Sequence, residues 1–105
     1  MLNKIKNLLG LGQKIDFAFL KRQGATVLDV RSNIEFESGH IPGSLNIPVD
    51  RLSAYMNQQK DKNKIIVTCC ASGMRSKNAK NILSVNGFKN VYNGGVWSSL
   101  QNKLQ

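Results

Sequence analysis

The run Lys64-Ile65-Ile66-Val67-Thr68-Cys69 constrains the chain most, because it is short, apolar and dense in β-branched residues. A run of that length and composition reads as a strand buried on both faces, the kind found in parallel sheets. The period then changes. Over residues 74–86, Ala79, Ile82 and Leu83 fall on one helical face with polar residues between them, and Gly87 follows as a stop signal. Cys70-Ala71-Ser72-Gly73 therefore joins the end of a strand to the start of a helix.

A junction of this kind suits nucleophilic chemistry. Small residues at Ala71, Ser72 and Gly73 let the backbone curl until successive N–H groups point inward, forming a nest for an anion. The first helical turn, with Met74, Arg75 and Ser76, adds unpaired N–H groups and the positive end of the helix dipole. Arg75 adds a permanent cation whose fork suits oxyanions. A cysteine among these groups has its thiolate favoured and its pKa lowered from about 8.5.

Helical and strand patterns alternate along the rest of the chain. Residues 16–23 read as a helix with Asp16 as N-cap and Phe17, Phe19 and Leu20 as apolar anchors, closed by Gly24. Residues 25–30 read as a second buried strand, at whose end Asp29 and Arg31 share a face by period two, within reach of an ion pair. Ser32 is placed to cap a short helix carrying Ile34 and Phe36, with Glu35 completing a capping box. A brief strand is expected at 44–48 and a helix at 50–58 with Leu52, Tyr55 and Met56 inward. Lys60 to Lys64 form a surface loop. A strand follows at 89–93, then a turn at Asn93-Gly94-Gly95, then a closing helix over 96–104 with Trp97 and Leu100 packed. The pattern predicts an α/β fold: one small domain with a central, mostly parallel sheet and helices on both faces. In such sheets ligands sit beyond the carboxyl ends of the strands, where the Cys70 loop lies.

Cys70-Ala71-Ser72-Gly73-Met74-Arg75-Ser76 resembles the active-site loop of single-domain rhodaneses, sulfurtransferases whose loop reads Cys-x-x-Gly-x-Arg. A second block is similar to that family's upstream signature: Leu28-Asp29-Val30-Arg31, Glu35-Phe36, and Gly39-His40-Ile41-Pro42-Gly43-Ser44-Leu45-Asn46-Ile47-Pro48. The resemblance spans about residues 15 to 101. It implies a persulfide on Cys70, substrate binding by Ala71 to Ser76, and a donor such as thiosulfate or another protein's persulfide. The acceptor is then a thiol or cyanide, and no metal or organic cofactor is needed.

The adjacent cysteines leave a choice open. Counted from Cys70, Arg75 closes the smaller loop of a sulfurtransferase. Counted from Cys69, the spacing becomes Cys-x5-Arg, as in cysteine-dependent phosphatases and related arsenate reductases, whose larger loop cradles a tetrahedral phosphate. Gly73 and Arg75 fit the first count, and no Asp nearby in sequence offers an obvious general acid for the second. Cys69 then reads as an inert buried thiol, with a resolving role as the alternative. A third reading is a sulfur-relay or docking module with little turnover on small molecules.

His40, the single histidine, reads as a turn residue that bonds backbone or a carboxylate, with Asp29 as the candidate partner, rather than as a catalyst. One histidine and no Cys-x-x-Cys spacing support no zinc site. Asp29, Arg31, His40 and Cys69 are thus expected to support the site rather than react. The balance of 15 Lys and Arg against 6 Asp and Glu, a net charge of +9, gives a surface able to attract nucleic acid, acidic lipid or an acidic partner protein, or simply a solvated basic face. The lysines are too scattered to predict a nucleic-acid site. Residues 1–12 carry Leu2, Ile5, Leu8 and Leu9 on one side of a short helix; they are too short for a signal peptide or a span, and read as an extension at 1–14, a short helix packed on the domain or a frayed terminus in preference to one lying on a partner or an anionic membrane surface. The domain proper is 15–105. Two adjacent cysteines form no secreted disulfide framework, which points to free thiols in a reducing, cytoplasmic setting.

Overall fold

The computed structural model describes residues 15–105, so the amphipathic stretch at 1–12 lies outside the described residues. Its centre is the predicted β-branched run, which forms β3 (Ile65–Cys70). This strand pairs in parallel with β1 (Thr26–Asp29) on one side and β4 (Asn90–Val96) on the other. The two-residue β2 (Leu45–Asn46) closes the far edge, giving the order β2-β1-β3-β4. Beside this short edge, the Asn46 side-chain amide donates to the carbonyls of Asp29 at 3.0 Å and Arg31 at 2.9 Å.

Helices cover both faces, as parallel pairing requires. Helix α1 (Phe17–Arg22) is capped by Asp16, whose carboxylate accepts the Phe19 N–H at 3.0 Å. Helix α2 (Asn33–Ser38) begins in the expected capping box of Ser32 and Glu35. A 3-10 turn at Val49–Arg51 leads into α3 (Leu52–Gln58), so the helix expected at 50–58 starts as a tighter coil. Helix α4 (Met74–Val85) follows the loop after β3, and α5 (Trp97–Lys103) closes the chain.

Alternation along β3 splits the core in two. Ile66 and Cys70 face one side, packed with Leu52, Ala79 and Leu83 of α3 and α4. Val67 and Cys69 face the other, packed with Phe17, Leu20 and Leu100 of α1 and α5. Two apolar assignments fail on helical geometry. Phe17 and Leu20, three apart, share the buried face of α1, whereas Phe19 between them is 41% exposed. Ala79 and Leu83, four apart, point inward while Ile82 lies at the margin of that face.

The expected turn at Asn93-Gly94-Gly95 is instead the continuation of β4. Thr68 pairs with Asn93 and Cys70 with Val96, so β4 takes three steps where β3 takes two, and the extra residue forms a bulge. The glycines serve close packing and a left-handed step rather than chain reversal. Gly95 has φ of +78°, and a Cβ on Gly94 would stand 2.7 Å from a Leu100 methyl and 2.8 Å from the Thr68 carbonyl oxygen. Gly94→Ala is therefore expected to lower stability by roughly 2–3 kcal/mol, the upper part of the overpacking range, because a backbone atom of the central strand cannot step aside. The urea midpoint of folded protein and variant checks this.

Candidate active site

β3 delivers Cys70 to the carboxyl edge of the sheet, and its side chain is fully buried there. The chain then turns back over the sulfur. Gly73 takes φ of +96°, a left-handed conformation that costs glycine little, and forms the N-cap of α4. In this turn the Gly73 N–H donates to Cys70 Sγ at 2.9 Å and the Ser76 N–H donates at 3.3 Å. The Ser76 hydroxyl lies 3.5 Å from the same sulfur. Burial alone would raise the thiol's pKa, but the Ser76 hydroxyl and the N–H groups of Ser76, Gly73 and Ser72 outweigh it, so the net shift is downward.

Cys69 stands in the opposite environment. Its side chain points to the other face of the sheet, among Leu20, Val67 and Leu100, and is likewise fully buried. Desolvation first, with the nearby Asp29 carboxylate adding to it, pushes its thiol up to about 12. Both cysteines are free. Arg75 belongs to the Cys70 side, where it lines a cavity of about 350 Å³ with Val30, Ser32, Pro48, Val49 and Asp50.

Of the remaining loop residues, Ala71, Ser72 and Met74 are exposed at the rim, and Ser76 is buried beneath it. Ser76 is held from two strands. Thr68 Oγ1 donates to its carbonyl at 2.9 Å, and its hydroxyl donates to Asn93 Oδ1 at 2.7 Å. Nothing local in the sequence singled out Asn93; the only hint was a polar side chain immediately before Gly94-Gly95.

Arg75 has a partner that sequence spacing did not reveal. Its Nη1 and Nη2 donate to Glu35 Oε1 and Oε2 at 2.6 and 2.9 Å, a bidentate fork between α4 and α2. That fork, and after it the Ser32 N–H, lowers the Glu35 carboxyl to about 2. The expected Asp29 and Arg31 pair is present and buried, with Nη2 2.7 Å from Oδ2. Arg31 also donates to the carbonyls of Glu35 at 3.3 Å and Gly39 at 2.7 Å, and its guanidinium lies 4.8 Å from the centre of the Trp97 ring. His40 does not reach Asp29, whose carboxylate is taken by Arg31. The histidine instead stacks on Phe36 with ring centres 3.7 Å apart, and its Nδ1–H donates to the Phe36 carbonyl at 2.7 Å. This is the backbone contact anticipated as the other option. Among the described residues no cluster of His, Cys, Asp and Glu could hold a metal ion.

The family model of the rhodanese-like domain matches residues 17–97. The chain belongs to the rhodanese-like domain family. Two solved structures share the fold at useful identity: a rhodanese with anions from E. coli, 30% identical with a TM-score of 0.66 over 71% of this chain and 89% of that one, and a human single-domain sulfurtransferase, 27% identical with a TM-score of 0.66 over 72% and 79%. Among curated proteins, a tRNA uridine(34) hydroxylase of Erwinia tasmaniensis is 34% identical over 86 residues, 75% of this chain and 25% of that protein. The chain spans about a quarter of the length of such hydroxylases, so it is similar to one part of a much longer protein.

In this rhodanese-like domain the Glu35–Arg75 fork has a defined pH signature. Glu35 falls from an ordinary 4.5 to about 2, so its contribution to stability is full above 4.5 and is lost as pH falls toward 2. Comparing thermal unfolding of wild type and Glu35→Gln should show a gap at pH 7 that closes across that window. The gap should also narrow in high salt, since both partners are more than a third exposed.

Proposed function

We propose that this chain is a sulfurtransferase that carries sulfane sulfur as a persulfide on Cys70. The observation that carries the reading is the pair of backbone N–H groups, from Gly73 and Ser76, aimed at one sulfur. Donors fixed by a backbone turn stabilise a thiolate, and a persulfide anion after it, without reorganising. The Cys70 thiolate attacks the outer sulfur of thiosulfate; the S–S bond of the donor breaks and sulfite leaves with the bonding pair. An acceptor thiolate or cyanide then attacks the outer sulfur of the persulfide, breaks the new S–S bond and returns Cys70 as a thiolate. Ala71 to Ser76 bind the sulfur. Arg75 brings positive charge to the mouth, where a donor's oxyanion meets a guanidinium it must share with Glu35.

The alternative count from Cys69 has less support. Its thiol packs across the sheet from Arg75 and is held protonated by burial, so the two cannot form one anion loop in this arrangement. The same separation argues against a resolving disulfide, because adjacent strand residues point to opposite faces. We read residues 15–105 as the folded unit, 1–14 as an extension, and the surroundings as reducing and cytoplasmic. No helix among the described residues is long and apolar enough to cross a membrane. A sulfur-relay role beside an acidic partner protein fits the net charge of +9 and the presence of similar segments inside longer proteins.

Incubation with thiosulfate followed by intact mass measurement tests the assignment. Wild type and Cys69→Ser should each gain one sulfur atom, and Cys70→Ser should gain none. Thiocyanate production from added cyanide should fall to background in Cys70→Ser alone. An adduct that needs Cys69, or phosphate release that needs it, would overturn the reading.

A further inference from the structure

The Ser76 hydroxyl has one proton and three neighbours. Asn93 Oδ1 lies at 2.7 Å, the Gly73 carbonyl at 3.0 Å and Cys70 Sγ at 3.5 Å. The orientation of the Asn93 amide is set independently, because the Gly95 N–H, which can only donate, meets Oδ1 at 2.9 Å. Oδ1 and the Gly73 carbonyl are pure acceptors, so either of them takes the hydroxyl proton and leaves an oxygen lone pair facing the sulfur. That polarity suits a thiol, whose S–H donates to Ser76 Oγ. It opposes a thiolate, which needs the hydroxyl to donate.

We propose that Asn93 is a positioning residue that sets the protonation balance of Cys70 by competing with its thiolate for the Ser76 hydroxyl proton. This deepens the sulfurtransferase reading and rests on Cys70 as nucleophile. When Cys70 ionises, its proton leaves to water. The Ser76 O–H bond to Oδ1 breaks, the hydroxyl turns, and a new O–H bond to the sulfur forms, while Oδ1 keeps the Gly95 N–H. Asn93 stands at the last regular pair before the bulge in β4, bonded to the Ser76 hydroxyl in the first turns of α4, while Thr68, its partner across the sheet, holds the Ser76 carbonyl. Ser76 is fully buried, so in the native fold its hydroxyl proton is shared among these protein acceptors.

Other charged and titratable groups lie around Cys70, Arg75 and Cys69 interacting with it directly, and substitution at position 93 replaces none of them. They are Arg75 of α4 with its partner Glu35 of α2, the Asp29 and Arg31 pair at the end of β1, Cys69 of β3, Tyr55 of α3 in the same core, and Tyr92 of β4 on the opposite face.

The test is the pH profile of iodoacetamide alkylation at Cys70, with the modified peptide identified by mass, in wild type, Asn93→Ala and Asn93→Asp, each with Ser76 and with Ser76→Ala. Removing the shorter of the two competing acceptors in Asn93→Ala, which leaves the Gly73 carbonyl at 3.0 Å as the weaker rival, should move the midpoint down by about half a unit to one unit, at most the worth of one buried hydrogen bond. Asn93→Asp, a stronger acceptor carrying charge, should move it up. In the Ser76→Ala background the downward shift should vanish and the upward one should shrink. A midpoint that stays or rises in Asn93→Ala, or the same shifts with and without the Ser76 hydroxyl, would overturn the proposal. If Asn93→Ala does not fold, the Asn93→Asp comparison in the two backgrounds decides it. The readout is independent of sulfur transfer: a normal alkylation series with no persulfide would sink the sulfurtransferase reading alone, and a persulfide with a flat series would sink this one alone.

Discussion

The buried ion pair of Asp29 and Arg31 is the contact on which the carboxyl edge of the sheet depends. The Asp29 carboxylate accepts from Arg31 Nε and Nη2 and from the Arg31 backbone N–H, at 2.7 to 3.1 Å. Two desolvated charges only break even when their remaining donors are used, and breaking one partner of such a pair costs roughly 3–5 kcal/mol. Here the spare donors reach the carbonyls of Glu35, within α2, and of Gly39, its C-cap, which ties the helix and its exit to the end of β1. Glu35 can then meet Arg75 across 40 residues of sequence. Charge buried at the end of β1 thus orders a helix, and that helix orders the loop around Cys70.

Two thiols one residue apart differ by direction rather than by chemistry. Strand alternation sends Cys69 into an apolar core and Cys70 under a turn of inward N–H groups, so desolvation acts on both while hydrogen bonding answers it for only one. Selectivity between these two thiols therefore comes from the sheet itself.

Where local pattern decides, the sequence was readable. The β-branched run of β3, the small-residue loop, the Asp16 cap and the Ser32–Glu35 capping box all depend on near neighbours in the chain, and each is legible there. Phe19 and Ile82 lie off the buried faces the pattern suggests, because apolar spacing alone does not choose among adjacent helical faces. Of the two partners the sequence offers His40, backbone or the Asp29 carboxylate, the fold leaves only the backbone, because Arg31 satisfies that carboxylate completely. Asn93-Gly94-Gly95 carries the composition of a turn, and only the approach of Leu100 and the Thr68 carbonyl shows why small residues stand in a strand. The contacts of Glu35 with Arg75 and of Asn93 with Ser76 join distant elements, for which a single sequence holds no signal.

Helix α2 buries none of its side chains, and Ile34 is 79% exposed. Shifting it would expose little apolar surface, so its hold on the domain is written in ion pairs and carbonyl contacts rather than in packing. Salt therefore reaches the two anchors of α2 unequally: it screens the half-exposed Glu35–Arg75 fork, while the buried Asp29–Arg31 pair beneath is shielded from it.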